Sequence, residues 1–375
     1  MKKIKNWRPS ASLLAGAAVL GLLLLLVPIV RIMQDAVPFS DDYGYGYFAR
    51  LGYLMGKNLP GVLMGVWENV KHTWWTWQGT YSSIFLMSLV PLVWGEQYYF
   101  WGLLFILLLL IGGIFALVKA LVVDVLQGGW QQCLYIQAVT VALVVELMYY
   151  PAEGLFWYNG GIHYVGMHGF AMLLLATLIC LSEWKKGRIR KGLLIAASII
   201  LALIVAGSNY VTVLQTFLAF LTIIVANALL HRNIKYVLRL VPAFCVYSIG
   251  FYKNVTAPGN AVRAEALGNP GMSPLQAILF SFKEAFSHMW EYTGWMTIIV
   301  MLVLLPMILQ LVSTTKFRFR LPWLLPVWSV CLYATGFTPS LYSMGHGGVP
   351  RTLNAVKITW QILLIVNEIN LVGAI

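Results

Sequence analysis

Two carboxylates stand side by side at Asp41 and Asp42, in the run Val37-Pro38-Phe39-Ser40-Asp41-Asp42-Tyr43-Gly44-Tyr45-Gly46-Tyr47. An acid held close to hydrocarbon is desolvated. That raises its pKa and its basicity, and suits it to take a proton from a hydroxyl. Ser-Asp-Asp is also a good helix N-cap, so spacing alone leaves both roles open. A second polar cluster, Pro151 to Tyr164, carries Glu153, Trp157, His163 and Tyr164 among glycines that permit close backbone approach. A lone histidine of this kind is more often structural than catalytic. In a third cluster, Lys253 to Arg263, the turn Pro258-Gly259-Asn260 precedes Arg263. A fourth, His346 to Arg351, sets Arg351 at a helix start. Guanidinium grips phosphate oxygens in pairs, while headgroup snorkelling accounts equally well for either arginine taken singly.

The elements that carry these clusters are largely hydrocarbon. Of 375 residues 60% are apolar and 10% charged, with mean hydropathy +0.79. A soluble domain has roughly 25% charged residues. The composition therefore excludes a soluble enzyme, a disordered chain and a nucleic-acid-binding domain, despite the net charge of +12. The expected fold is all-α: a polytopic transmembrane helical bundle of about 10–11 spans. The apolar runs lie near 11–30, 98–121, 132–149, 165–182, 192–208, 211–230, 236–252, 289–311, 321–336 and 354–375. The first is too long for a signal-peptide core and has no cleavage site, so it reads as an uncleaved helix. A further run, 81–94, falls short of the roughly 20 residues a span needs. It reads as re-entrant or as part of a broken helix.

Orientation follows from the basic residues. Lys2, Lys3, Lys5, Arg8, Lys119 and the short linkers 183–191, 231–239 and 315–320 hold 16 of the 25 Lys and Arg. These stretches, and the N-terminus, are expected in the cytoplasm. One transmembrane domain, 1–375, then presents outer loops 34–80, 150–164, 253–288 and 337–353. Asp35, Asp41, Asp42, Glu68, Glu96, Glu153, Glu265, Glu284 and Glu291 fall on that outer side or at its boundary, while Glu146 and Glu368 fall within spans. The last run ends without a basic tail, so the C-terminal part reads as incomplete. No internal repeat is evident. The inner linkers are too short for a nucleotide site, and no P-loop or dinucleotide fingerprint occurs; any chemistry is expected outside. Trp74, Trp75, Trp77 and Tyr81 suit a membrane interface, or a platform for sugar rings. Cys133, Cys180, Cys245 and Cys331 lack metal-ligand spacing and read as small buried hydrophobes.

Taken together, these motifs resemble the GT-C class of membrane glycosyltransferases, with many spans and a paired acid in the first outer loop. More narrowly, the chain is similar to a group of bacterial multi-pass proteins linked to cell-surface polysaccharide synthesis. That group carries S-D-D-Y after the first helix, E-x-x-F-W-x-x-G-x-x-x-Y between middle spans and A-P-G-N-x-x-R in a later outer loop. Here these are Ser40 to Tyr43, Glu153 to Tyr164 and Ala257 to Arg263. One departure is Trp77-Gln78-Gly79-Thr80, where relatives often have W-x-G-R; the resemblance lends no phosphate ligand there. It implies an inverting transfer, in the bacterial plasma membrane, of a sugar from a polyprenyl-phosphate donor to a glycan or lipid acceptor. Asp41 or Asp42 would be the base, with Asp41 preferred as the first after the span. Arg263 and Arg351 would hold the lipid phosphate. Glu153, Trp157, His163, Tyr164 and Asn260 would shape the sugar or acceptor site. Some class members use a divalent metal, and two carboxylates do not decide that point. A transporter or flippase for lipid-linked saccharides and a non-catalytic envelope assembly partner are the alternatives.

Overall fold

The computed structural model describes residues 10–183, 187–231, 234–268, 270–317, 319 and 322–375. Among them the regular elements are helices, with no strand. They are α1 (Ala11–Asp35), α2 (Asp41–Gly56), α3 (Leu59–Thr76), α4 (Tyr81–Ser88), α5 (Tyr99–Lys119), α6 (Trp130–Glu146), α7 (Pro151–Leu155), α8 (Tyr158–Gly160), α9 (Met167–Glu183), α10 (Arg188–Ala206), α11 (Tyr210–His231), α12 (Ile234–Leu238), α13 (Val241–Val255), α14 (Pro258–Ala266), α15 (Pro274–Tyr292), α16 (Trp295–Thr314), α17 (Leu324–Ala334), α18 (Thr338–Met344) and α19 (Pro350–Ala374). Wide π turns, Ala120–Val125 and Gly161–Gly166, extend α5 and join α8 to α9.

Among the described residues eight stretches are long and apolar enough to cross a membrane: Ala11–Asp35, Glu96–Val125, Tyr158–Glu183, Ile189–Ala206, Tyr210–Leu229, Trp295–Thr314, Leu324–Met344 and Pro350–Ala374. The protein is thus an all-helical, multi-pass membrane protein. The difference from the expected ten or eleven lies in three runs. Those near 132–149 and 236–252 form α6 and α13, of 17 and 15 residues. At 1.5 Å per residue these are about 25 and 22 Å long. They still run between the same two ends of the bundle as their longer neighbours. α6 starts where Leu126 accepts from the Thr315 hydroxyl and ends where Tyr150 meets Asn354. α13 starts near Leu181 and ends where Asn254 donates to Ala206 and Ser208. The run 81–94 becomes α4, eight residues long, followed by a 3₁₀ turn at Pro91–Val93. It leaves and returns to one end of the bundle, the end that carries Asp42.

Packing explains the arrangement. α1 lies along α6, α5 along α9, α10 between α9 and α13, and α16 along α19. At the α5–α9 contact a Cβ on Gly113 would sit 2.6 Å from the Gly169 carbonyl oxygen; only small residues allow such an approach. Outward faces are apolar: Leu23, Leu24 and Val27 of α1 are exposed, as hydrocarbon-facing side chains are. α15 is amphipathic, with Ala277, Ser281, Ala285 and Tyr292 buried while Leu275, Leu279, Phe286 and Trp290 are exposed. Such a helix suits the plane of a membrane interface. Two sequence readings change. Glu146 is the exposed last residue of α6 rather than deep in a span. Only Cys133 of the four cysteines is fully buried; Cys245 and Cys331 are exposed. Lys2, Lys3, Lys5, Arg8, Lys185, Lys186, Arg232, Arg318 and Arg320 lie outside the described residues.

Candidate functional site

The loop-rich end gathers segments that are far apart in the chain. α2 and α3 form an antiparallel hairpin whose backbones nearly touch: a Cβ on Gly65 would lie 2.1 Å from the Phe48 carbonyl oxygen. The hairpin is held further by Asn69, which donates to the Tyr45 carbonyl at 3.1 Å and to Ser88 Oγ at 2.7 Å. Ser40, just before the paired acids, has φ 48° and ψ −113°. A non-glycine residue there is strained by about 1–3 kcal/mol. The turn it makes lets the Phe39 N–H reach the Asp42 side chain.

The paired acids differ sharply. Asp42 is completely buried. Its Oδ2 accepts from the Tyr99 hydroxyl at 2.6 Å and from the Phe39 N–H at 3.0 Å; its Oδ1 accepts from the Asn159 N–H at 3.0 Å. Tyr99 Oη in turn accepts from the Tyr158 N–H at 2.9 Å. Burial raises the Asp42 pKa above the ordinary carboxylate value, and the three donors only partly oppose it. Asp42 therefore ties α2 to α5 and α8. Asp41 is exposed on the first turn of α2.

Tyr45, one turn after Asp41, marks where the other segments meet. Burial pushes its phenol up to about 12; the charge of Asp41 adds to that shift, Tyr164 adds further, and Arg263 and Arg351 oppose it. One carboxylate and two guanidinium groups thus share a neighbourhood with two tyrosines. Arg351 is positioned by Glu153, whose Oε2 accepts from the Arg351 N–H at 3.1 Å and lies 3.7 Å from its Nη1. The acid sits at the N-terminus of α19, where a negative charge is favoured. The Arg351 guanidinium lies 5.6 Å from the Trp157 ring centre, and Trp157 Nε1 donates to the Phe39 carbonyl at 3.1 Å. Arg263 donates to Gln78 Oε1 at 2.9 Å and stands 5.3 Å over Trp77. It thereby reaches the Trp77-Gln78-Gly79-Thr80 segment that follows α3.

Two expected ligands are otherwise engaged. Asn260 accepts from the Gly79 N–H at 3.1 Å and from the Tyr210 hydroxyl at 2.6 Å, and donates to the Asn254 and Val255 carbonyls at 2.9 and 3.1 Å. Its amide has no valence left and acts as a clamp on Gly79. His163 is buried in the second π turn, with Nδ1 2.8 Å from Ser83 Oγ and the ring edge-on to Tyr164 at 4.6 Å. Beside Arg263 a cavity of about 610 Å³ opens between α11, α13, α14 and α18, within the ordinary range for small-molecule sites. Among the described residues no group of three His, Cys, Asp or Glu could hold a metal ion. The sequence reading missed Tyr45, Gln78 and Tyr99. Only Tyr45 had a signal, its four-residue spacing from Asp41 on a helix.

What fold and site define is a helical multi-pass membrane protein with one end built from converging polar segments. Comparison with family models, with curated proteins and with solved structures gives no match.

Proposed function

We propose that this protein is a membrane glycosyltransferase of the GT-C kind, with its loop-rich end on the outer face of a bacterial plasma membrane and its N-terminus in the cytoplasm. It moves a sugar from a polyprenyl-phosphate donor to an envelope glycan or lipid acceptor. The observation that carries this reading is that Arg351, held by Glu153 and Trp157, is tied through Trp157 to the Phe39 carbonyl two residues before Asp41, with Arg263 and Tyr164 close enough to Tyr45 to act on its phenol. In the proposed step the acceptor oxygen attacks the anomeric carbon while its proton passes to Asp41. The bond from that carbon to the phosphate oxygen breaks, its electron pair leaves on the lipid phosphate, and the carbon inverts. Arg263 and Arg351 offset the charge that grows on the phosphate. Glu153 and Trp157 hold Arg351 in place, and Gln78 holds Arg263.

The test is envelope glycan composition in cells carrying Asp41→Asn in place of the native chain. A general base contributes roughly 10²–10⁴-fold to rate, so the variant should lose nearly all of one modification while its membrane level stays normal. Unchanged glycans at normal level would end the transferase reading and favour a transporter or assembly partner.

A further inference from the structure

A second cavity, of about 530 Å³, opens on the flank of the bundle between α3, α4, α9 and α10. Trp74, Phe85, Phe170 and Leu203 form its walls, and Lys71 and Lys253 stand among its lining residues. It is separate from the site around Tyr45. α4 forms the partition: Ser82 lines the groove, while the next residue, Ser83, bonds His163 on the other side. The hydroxyls of Tyr81 and Ser82 donate to the Leu203 and Ile204 carbonyls, which closes the seam between α4 and α10.

Three observations identify the occupant. Leu203 belongs to the apolar stretch Ile189–Ala206, so the groove lies beside hydrocarbon and is open to bilayer lipid. Its walls are aromatic and aliphatic, which suits acyl chains and no polar solute. The charged side chains that line it are both lysines. Lys253 is exposed and makes no ion pair among the described residues. Among the described residues Lys71 pairs with Glu68 alone, at 2.6 Å on an exposed helix face, and such a pair holds its lysine by only about 0–1 kcal/mol. The α13 end that carries Lys253 is also the loop-rich end, so the cation sits at headgroup level.

We propose that this groove is the seat of one anionic phospholipid of the bilayer, its chains along Trp74, Phe85 and Leu203 and its phosphate against Lys253 and Lys71. The proposal does not rest on the transfer reaction, which is assigned to Arg263 and Arg351. Native mass spectrometry of the full chain, released from nanodiscs of equal phosphatidylglycerol and phosphatidylcholine, tests it. The wild type should retain one phosphatidylglycerol in preference to phosphatidylcholine. Lys253→Gln should reduce that preference about fivefold, the scale for one lysine at an anionic surface, and Lys71→Gln with Lys253→Gln should abolish it. Leu203→Trp, which fills the groove, should retain neither lipid; if that chain does not fold, Phe85→Trp makes the same comparison. No retained lipid in the wild type, or an unchanged preference in the double lysine variant, would overturn the proposal.

Discussion

Asp41 and Asp42 are adjacent in sequence, and their environments differ completely. On residue types alone, Asp→Asn at either position should preserve the fold. The structure keeps that expectation for Asp41 and reverses it for Asp42. Its two oxygens accept three donors, two of them fully buried, and the amide of an asparagine would set an N–H against at least one of them. Leaving a buried donor unpaired costs about 1–3 kcal/mol. Asp42→Asn should therefore lower the thermal midpoint of the purified protein and its membrane level, whereas Asp41→Asn should change neither. The pH dependence has a definite sign. Burial holds the Asp42 pKa above 3.8, so as pH falls the folded chain takes up this proton before the unfolded chain does. Stability from this group rises as pH drops through its folded pKa toward 3.8, and that part of the pH profile should vanish in Asp42→Asn. The arginines call for a different test. Arg→Lys keeps the charge and loses the paired geometry, so at Arg263 and Arg351 both Lys and Ala variants should weaken donor use in a reconstituted assay, Ala more. Unchanged donor dependence in both Ala variants would remove them from the site.

At the scale of elements, the α2–α3 hairpin holds Asp41 in register with the rest of the site. Its glycines are not equivalent. A Cβ at Gly65 would lie 2.1 Å from the Phe48 carbonyl, whereas one at Gly44 would meet nothing within 4 Å. Gly65→Ala must push the two backbones apart and should cost about 1–3 kcal/mol. Gly44→Ala should be neutral or stabilise α2 by about 0.5–1 kcal/mol, because glycine is a poor helix interior residue. Thermal unfolding of the two variants in one detergent checks both signs. Equal midpoints would mean that the helices are not packed this closely. The short helices α7 and α8 are positioned in the same way, by Asp42 from one side and by Arg351 through Glu153 from the other.

For the whole molecule the proposal sets the loop-rich end outward. Single cysteines in a cysteine-free background decide it. Glu265 is exposed at the loop-rich end and Ser313 is exposed at the opposite end. With Glu265→Cys an impermeant maleimide should label intact cells, and with Ser313→Cys it should label only opened ones; the reverse pattern would overturn the proposed orientation. Much of this architecture could be read in advance. Long apolar runs become helices because backbone polar groups in lipid must bond within the segment, and that is why the eight membrane-length stretches fall where hydropathy puts them. Lengths were less legible, since α6 and α13 end where Tyr150 and Asn254 find partners on other helices. The sequence alone determined the class of protein, the helices and the polar residues worth following, because these rest on local composition and periodicity. Only the tertiary structure decided that Asp42 is a buried tie while Asp41 is exposed, that Asn260 is a clamp, and that Tyr45 lies within electrostatic reach of Arg263 and Arg351. Those facts depend on which distant segments meet, and no local pattern of residues carries that information.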